Sequence, residues 1–354
     1  MTKIFSTKKI NQILIQNRLV LPPMVTFNYS KEGFVNDRKI DHYYQIAKNG
    51  IGLIVLEATA IHPLGRLSDC QLGIWDDQFI PGLKQLVDTV HQEKVPIVVQ
   101  IHHAGQKTKV TGFNDIVSAS PYKNARGLSY EEVKSLIQDF KKAAIRAYKA
   151  GFDGVEIHGA HGYLLTQFFS LKSNQRKDEY GGSFENRIRI AKEIYHEVRT
   201  HTSPNFIIGI RMGCNENSLE ESILMAKEFE KTGYDYLSVS SGLDASEIEK
   251  PKDFPYHWIT YGGILIQKQV TIPVIGVYGI RTEAQIKGLI ESDLLDFVAL
   301  GRAQLADYNF TKHLKNHEEI LYCLQCQPCR WREDGSLCPR QRQVNQKKSK
   351  LKIS

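Results

Sequence analysis

The chain has 354 residues, 42% hydrophobic and 24% charged, with a formal net charge of +7. That composition is of a cored globular protein and excludes collagen-like and disordered classes. No apolar run approaches membrane-spanning length, and the N-terminal stretch lacks the apolar core of a signal peptide, so a cytoplasmic protein that does not engage membranes is expected.

Short β-branched runs then alternate with longer amphipathic stretches. Strands are expected over Leu19–Met24, Gly52–Glu57, Pro96–Ile101, Gly154–Ile157, Phe206–Arg211, Tyr236–Ser240, Pro273–Val277 and Asp296–Leu300. Each is nearly all apolar, as a parallel strand covered on both faces requires. Eight such strands with helices between them predict an α/β fold, the closed (β/α)8 TIM barrel. Ser129-Tyr-Glu-Glu132 forms a capping box, followed by apolar residues at helical spacing and a stop at Gly151. Asn186–Val198 and Ser222–Lys231 read as further helices, the second ended by Gly233. Turn-rich segments Thr108–Leu128 and Ser241–Tyr261 follow strands three and six, where a barrel places the rim of its pocket. From Gly335 onward stand Arg340, Arg342, Lys347, Lys348, Lys350 and Lys352 without an acid, while the rest holds 40 cations against 39 anions. The division is therefore a barrel over 1–318, a Cys-rich extension over 319–340 and a basic flexible tail over 341–354. A near-neutral body offers no stripe for nucleic acid.

Barrel enzymes carry their working residues at the C-terminal ends of strands. Pro23, Met24 and Val25 follow the first expected strand, Ala58 the second, and Gln100 closes the third. His158 and His161 follow the fourth, Arg211 closes the fifth, and Ser240 and Ser241 follow the sixth. Gly276 near the end of strand seven and Gly279 just beyond it, with Gly301 and Arg302 after strand eight, suit a phosphate held by backbone amides and a guanidinium. A monophosphate handle without a Rossmann glycine loop points to FMN. His158 and His161 stand three apart on a turn, able to grip one electronegative atom, and Tyr163 can hold and release a proton. A bare His-x-x-His also suits a metal or two structural histidines.

The string His158-Gly-Ala-His161-Gly-Tyr163-Leu-Leu, with Asp178-Glu-Tyr-Gly-Gly-Ser-Phe-Glu-Asn-Arg187, is far more specific. It resembles the old yellow enzyme family of FMN-dependent ene-reductases. Matching pieces include Asn17-Arg-Leu-Val-Leu-Pro-Pro-Met24, Glu57-Ala-Thr-Ala60, Gly65-Arg66, Gln100-Ile-His-His-Ala-Gly105 and Gly301-Arg-Ala-Gln-Leu-Ala-Asp307, from about Lys3 to Tyr308. The resemblance implies that Arg211 faces the flavin N1–C2=O edge, Gln100 its pyrimidine edge, and Ala58 the back of the ring. It implies that His158 and His161 hold a substrate carbonyl oxygen and that Tyr163 is the proton donor. NAD(P)H and an electrophilic substrate would then use one site in turn, giving ping-pong kinetics. Val25 stands where the family often has Cys or Thr, which leaves the flavin potential open.

Cys323-x2-Cys326-x2-Cys329-x8-Cys338 suggests a metal more than disulfides in a cytosolic protein. It resembles the iron–sulfur segment of 2,4-dienoyl-CoA reductases and trimethylamine dehydrogenases, whose spacing is looser. A [4Fe–4S] cluster, zinc and an unmetallated relic all stay open. The reading is an FMN-dependent NAD(P)H oxidoreductase that reduces activated C=C bonds of α,β-unsaturated carbonyl compounds. Its alternatives are a shortened dienoyl-CoA reductase-like or amine dehydrogenase-like enzyme using an iron–sulfur cluster, or a non-catalytic flavin or metal carrier or sensor. A homo-oligomer stays open.

Overall fold

The structure is a computed structural model that describes residues 2–26, 32–112, 114–243, 246–332 and 334–344. Eight parallel strands close on themselves: β1 Leu19–Leu21, β2 Leu53–Ala60, β3 Ile97–His102, β4 Gly154–Gly159, β5 Ile207–Gly213, β6 Tyr236–Ser240, β7 Val274–Gly276 and β8 Phe297–Ala299. Each expected strand is present, and β8 pairs with β1 through Val298 and Leu19 to complete the cylinder. The strands are buried along their whole length, because helices cover the outside and side chains fill the inside. The first strand is shorter than expected, ending at Leu21. Pro22 and Pro23 follow at once and have no N–H for a ladder.

Helices α1 Asp37–Ala47, α2 Ile80–His91, α3 Tyr130–Lys149, α4 Phe184–Thr200, α5 Leu219–Thr232, α6 Trp258–Gln267 and α7 Glu283–Ile290 follow the first seven strands in turn. Their starts are written locally. Asn36, Ser183 and Ser218 each accept a hydrogen bond from a backbone amide of the first turn, and Ser129 with Glu132 forms the expected capping box. Gly233 closes α5 in a left-handed conformation, as Gly at that position predicts. The expected loop Ser241–Tyr261 is shorter than its sequence suggests, since α6 begins at Trp258 with His257 as its cap. A hairpin of Lys8–Ile10 and Ile13–Ile15 lies at the N-terminal end of the strands, where Lys8 pairs with Asp296 just ahead of β8.

After β8 come α8 Gly301–Ala306 and α9 Phe310–Asn316, and the chain then turns back across the barrel mouth. Trp331 is 3% exposed and packs against Leu305. Arg38 on α1 reaches Asp334 at 2.8 Å, and Gln341 Nε2 donates to Leu305 O at 2.8 Å. The first part of the expected flexible tail, 341–344, is helical; residues 345–354 lie outside the described residues. Among the described residues no helix is long and apolar enough to cross a membrane.

Candidate active site

A cavity of about 690 Å³ opens at the C-terminal ends of the strands. Its wall takes Pro23, Met24 and Val25 from the end of β1, Ala58 from β2, Gln100 and His102 from β3, and Arg211 from β5. His158, His161 and Tyr163 stand at one side, and Gly279, Arg281, Gly301 and Arg302 at another. Nearly every expected site residue therefore lines one space. Gly276 does not: it is buried in β7, where a Cβ would run into Leu295, so its smallness serves packing behind the wall.

The β4 turn brings the imidazoles together. His161 and Gly162 both take left-handed backbone, with φ of 63° and 69°. A φ of 69° is one that residues with a Cβ rarely adopt, so glycine suits position 162. The turn is pinned by His161 N donating to Ser241 O at 2.8 Å, and it folds His161 back toward His158. The two rings do not stand as separate open donors. His158 Nε2 and His161 Nδ1 share a hydrogen bond at 3.0 Å, His158 Nδ1 meets His102 Nδ1 at 2.9 Å, and His161 Nε2 meets Ser240 Oγ at 2.7 Å. Burial lowers the affinity of all three rings for an extra proton, holding His102 at about 3 and the other two well below 6.5. They are neutral at neutral pH. Tyr163 presents its ring edge-on to His102 and His158, with centroids 4.5 and 4.9 Å away, and the Lys107 ammonium lies 5.3 Å from its ring centre.

Beneath them the barrel interior is polar. Gln100 pairs in register with Glu156, and Gln100 Nε2 donates to Glu156 Oε1 at 2.7 Å. Tyr236 OH donates to Glu156 Oε2 at 3.0 Å, in room left by Gly209 on the neighbouring strand. Burial raises the Glu156 carboxyl, and the Arg211 guanidinium opposes that rise. Arg211 itself is 7% exposed, touches Ser240 Oγ through one terminal nitrogen at 3.4 Å, and leaves its buried Nε without a partner. A buried guanidinium N–H without an acceptor costs free energy. It fits an acceptor supplied from outside the chain, as the carbonyl edge of a flavin would be. Arg281 Nε is in the same condition near the other end of the cavity.

The β1 end is held from behind. Val25 lines the cavity, whereas Thr26 faces away: its amide and hydroxyl both donate to Glu57, at 3.0 and 2.8 Å. Glu57 and Lys39 form a fully buried pair at 2.6 Å, joined by Tyr43 OH at 3.2 Å. The β2–β3 register shifts between Leu56 and Thr59, a bulge that re-aims Ala58.

Sequence reading missed His102, Lys107, Glu156 and Tyr236. Two signals were available: His102 lies two residues beyond Gln100 on one face of β3, and Glu156 is a lone charge in an apolar strand. The metal expectations gain no support. Cys323, Cys326, Cys329 and Cys338 are all free thiols, and among the described residues no three His, Cys, Asp or Glu side chains are placed to hold a metal ion. This arrangement lends no support to the iron–sulfur and zinc readings or to a metal on the histidine pair. The extension instead lends Cys326, Gln327, Pro328, Cys329 and Trp331 to the cavity wall. Of the other thiols, Cys214 is buried and pushed up to about 12 by burial.

A family profile described as NADH:flavin oxidoreductase / NADH oxidase matches residues 3–320. The chain belongs to that family. Among its relatives, the NADPH dehydrogenase of Listeria innocua is 35% identical over 88% of this chain and 94% of its own length. The NADH oxidase of Thermoanaerobacter brockii is 38% identical over 91% of this chain, which spans only 52% of that longer protein. An old yellow enzyme homologue from Zymomonas mobilis shares the fold, with 25% identity, a TM-score of 0.78 and coverage of 91% and 95% of the two chains. Family membership makes this a flavin-dependent oxidoreductase.

Proposed function

We propose that the protein reduces activated C=C bonds of α,β-unsaturated carbonyl compounds with NAD(P)H, using FMN in the mouth cavity. The observation that carries this reading is the single cavity joining an arginine-bearing end to the neutral imidazoles of buried His102 and His158 and half-buried His161, with the unpartnered Arg211 Nε on its floor. Pro23, Met24, Val25, Ala58, Gln100 and Arg211 would hold the ring, and Gly279, Gly301 and Arg302 the phosphate, with Gly276 supporting them from behind. Bound FMN supplies hydride exchange with the nicotinamide and with the substrate carbon.

The chain's own part is to hold oxygen and move a proton. His158 and His161 give up their mutual hydrogen bond for two bonds to the carbonyl oxygen, and those strengthen as negative charge gathers there. Neutral rings suit this task, because each can donate without discharging a full positive charge into the pocket. Tyr163 delivers the proton to the α-carbon. Nicotinamide and enone occupy the cavity in turn, which gives ping-pong kinetics. The iron–sulfur-dependent alternative has no metal-holding group of side chains among the described residues to support it, and a carrier or sensor has no use for the imidazole–phenol group. FMN-loaded protein given NADPH or NADH should convert 2-cyclohexenone to cyclohexanone, read by gas chromatography. Nucleotide oxidation that does not respond to any of a panel of enones, nitro compounds, maleimides and enoyl-CoAs would overturn the proposal.

A further inference from the structure

The imidazoles at the barrel mouth form one chain of hydrogen bonds with two ends. It runs from His102 Nδ1 to His158 Nδ1, from His158 Nε2 to His161 Nδ1, and from His161 Nε2 to Ser240 Oγ. Each nitrogen–nitrogen contact holds one proton, and each neutral imidazole carries one. The protons must therefore all run in the same direction, and the ends decide which. His102 Nε2 is buried and meets no hydrogen-bonding partner. A buried N–H left orphaned is rarer than a lone pair left orphaned, so the His102 proton belongs on Nδ1. His158 Nδ1 then accepts, and His158 must carry its own proton on Nε2, toward His161. At the far end, Ser240 Oγ accepts from Arg211 at 3.4 Å and keeps a hydroxyl proton that can turn to His161 Nε2.

We propose that His102 and Ser240 are positioning residues that set His158 and His161 to present two N–H groups to one oxygen between them. The inference rests on the reading that the pair holds a carbonyl oxygen. When the oxygen enters, His158 Nε2–H is already aimed at it through the donor at its back. At His161 one proton leaves Nε2 to water and one is taken up at Nδ1, with no change in charge, while Ser240 supplies the O–H that Nε2 now needs. Without His102 the His158 proton is free to sit on the wrong nitrogen. Without the Ser240 hydroxyl, the inward tautomer of His161 leaves Nε2 a bare acceptor.

The test uses FMN-loaded protein with 15N-labelled histidine rings, together with the dissociation constant of 2-cyclohexenone read from the absorption of the oxidised flavin. The expected wild-type spectrum shows His158 protonated at Nε2 and bare at Nδ1. His102→Leu should weaken the enone about tenfold, the loss expected for a misdirected hydrogen bond. His102→Asn, whose side-chain nitrogen can donate from nearly the same place as Nδ1, should stay within about twofold. A packing role predicts the reverse order, since Leu fills the apolar volume better than Asn. Ser240→Ala should weaken binding similarly and Ser240→Thr should recover it. A wild-type His158 protonated at Nδ1, or His102→Leu binding as tightly as His102→Asn, overturns the proposal. Failure of the carbonyl-holding reading looks different: His158→Ala would bind the enone unchanged, and the tautomers of the free protein would still decide the hydrogen-bond chain.

Discussion

His158 and His161 have four ring nitrogens already engaged, two of them with a ring or a hydroxyl outside the pair that cannot leave the cavity. Their value to a substrate is the one bond they make to each other, which a carbonyl oxygen can replace without stranding a buried donor. Replacing both by Ala should weaken enone binding by about a hundredfold, on the order of two hydrogen bonds, while FMN stays bound through Arg211, Gln100 and Arg302. Equilibrium titration with flavin retention measured in parallel separates the two; loss of flavin would count against these roles. Tyr163→Phe keeps the ring contacts with His102 and His158 but removes the proton. It should slow oxidation of the reduced protein by enone about a hundredfold, in the range of a lost general acid, and leave reduction by NAD(P)H as it was. Rapid-mixing measurements of each half-reaction check this, and equal slowing of both would refute the proton-donor role. At this scale the sequence was legible where residue type and strand end coincide, as at Gln100, His158 and Arg211. His102 and Ser240 escaped assignment because their meaning comes from a partner on a neighbouring strand, which no local spacing reports.

Among elements, β2 shows best how the cavity is braced from outside. Its bulge and the buried Lys39–Glu57 pair fix Thr26, and through it the Pro23–Val25 wall. Lys39→Met leaves the Glu57 carboxylate buried without its cation, and should lower unfolding stability by about 3–5 kcal/mol, read from the shift in urea midpoint. A midpoint within experimental error of the wild type would mean that Thr26 and Tyr43 suffice to hold Glu57. Strand order and the capping box on α3 could be read directly, because short continuous apolar runs and Ser-x-x-Glu are local signals. The bulge could not, since Glu57-Ala-Thr-Ala60 is equally good as a regular strand. The early end of β1 and the early start of α6 had signals of their own, Pro22-Pro23 and the His257 cap, weaker than the apolar pattern around them.

Over the whole molecule, the barrel was the easiest inference and the C-terminal segment the hardest. Four closely spaced cysteines drew the reading toward a metal, but the segment's tertiary work is done by Trp331, Asp334 and Gln341, which strap it across the mouth. The buried imidazoles also set an acid limit on the fold. His42, His102 and His103 are each held by burial at about 3, against 6.5 when free. The unfolded chain therefore binds protons that the folded one refuses as pH falls below 6.5, so stability is full above that value and lost on acidification toward 3. The loss approaches about 1.4 kcal/mol per imidazole per pH unit, and urea midpoints should drop steeply between pH 6.5 and 5. His91, raised by its bond to Asp153, works in the opposite direction and softens the slope. A midpoint that is flat or rises over that interval would mean these rings titrate normally in the folded protein.

The central claim is that one cavity takes a hydride in from a nicotinamide and hands it to an enone held by the imidazoles. It is tested most directly by the colour of the FMN-loaded protein without oxygen. Addition of NADPH or NADH should bleach the yellow absorption, and 2-cyclohexenone should then restore it in proportion to the cyclohexanone formed. A flavin that neither nucleotide bleaches, or a bleached flavin that no electrophilic alkene restores, would contradict the account.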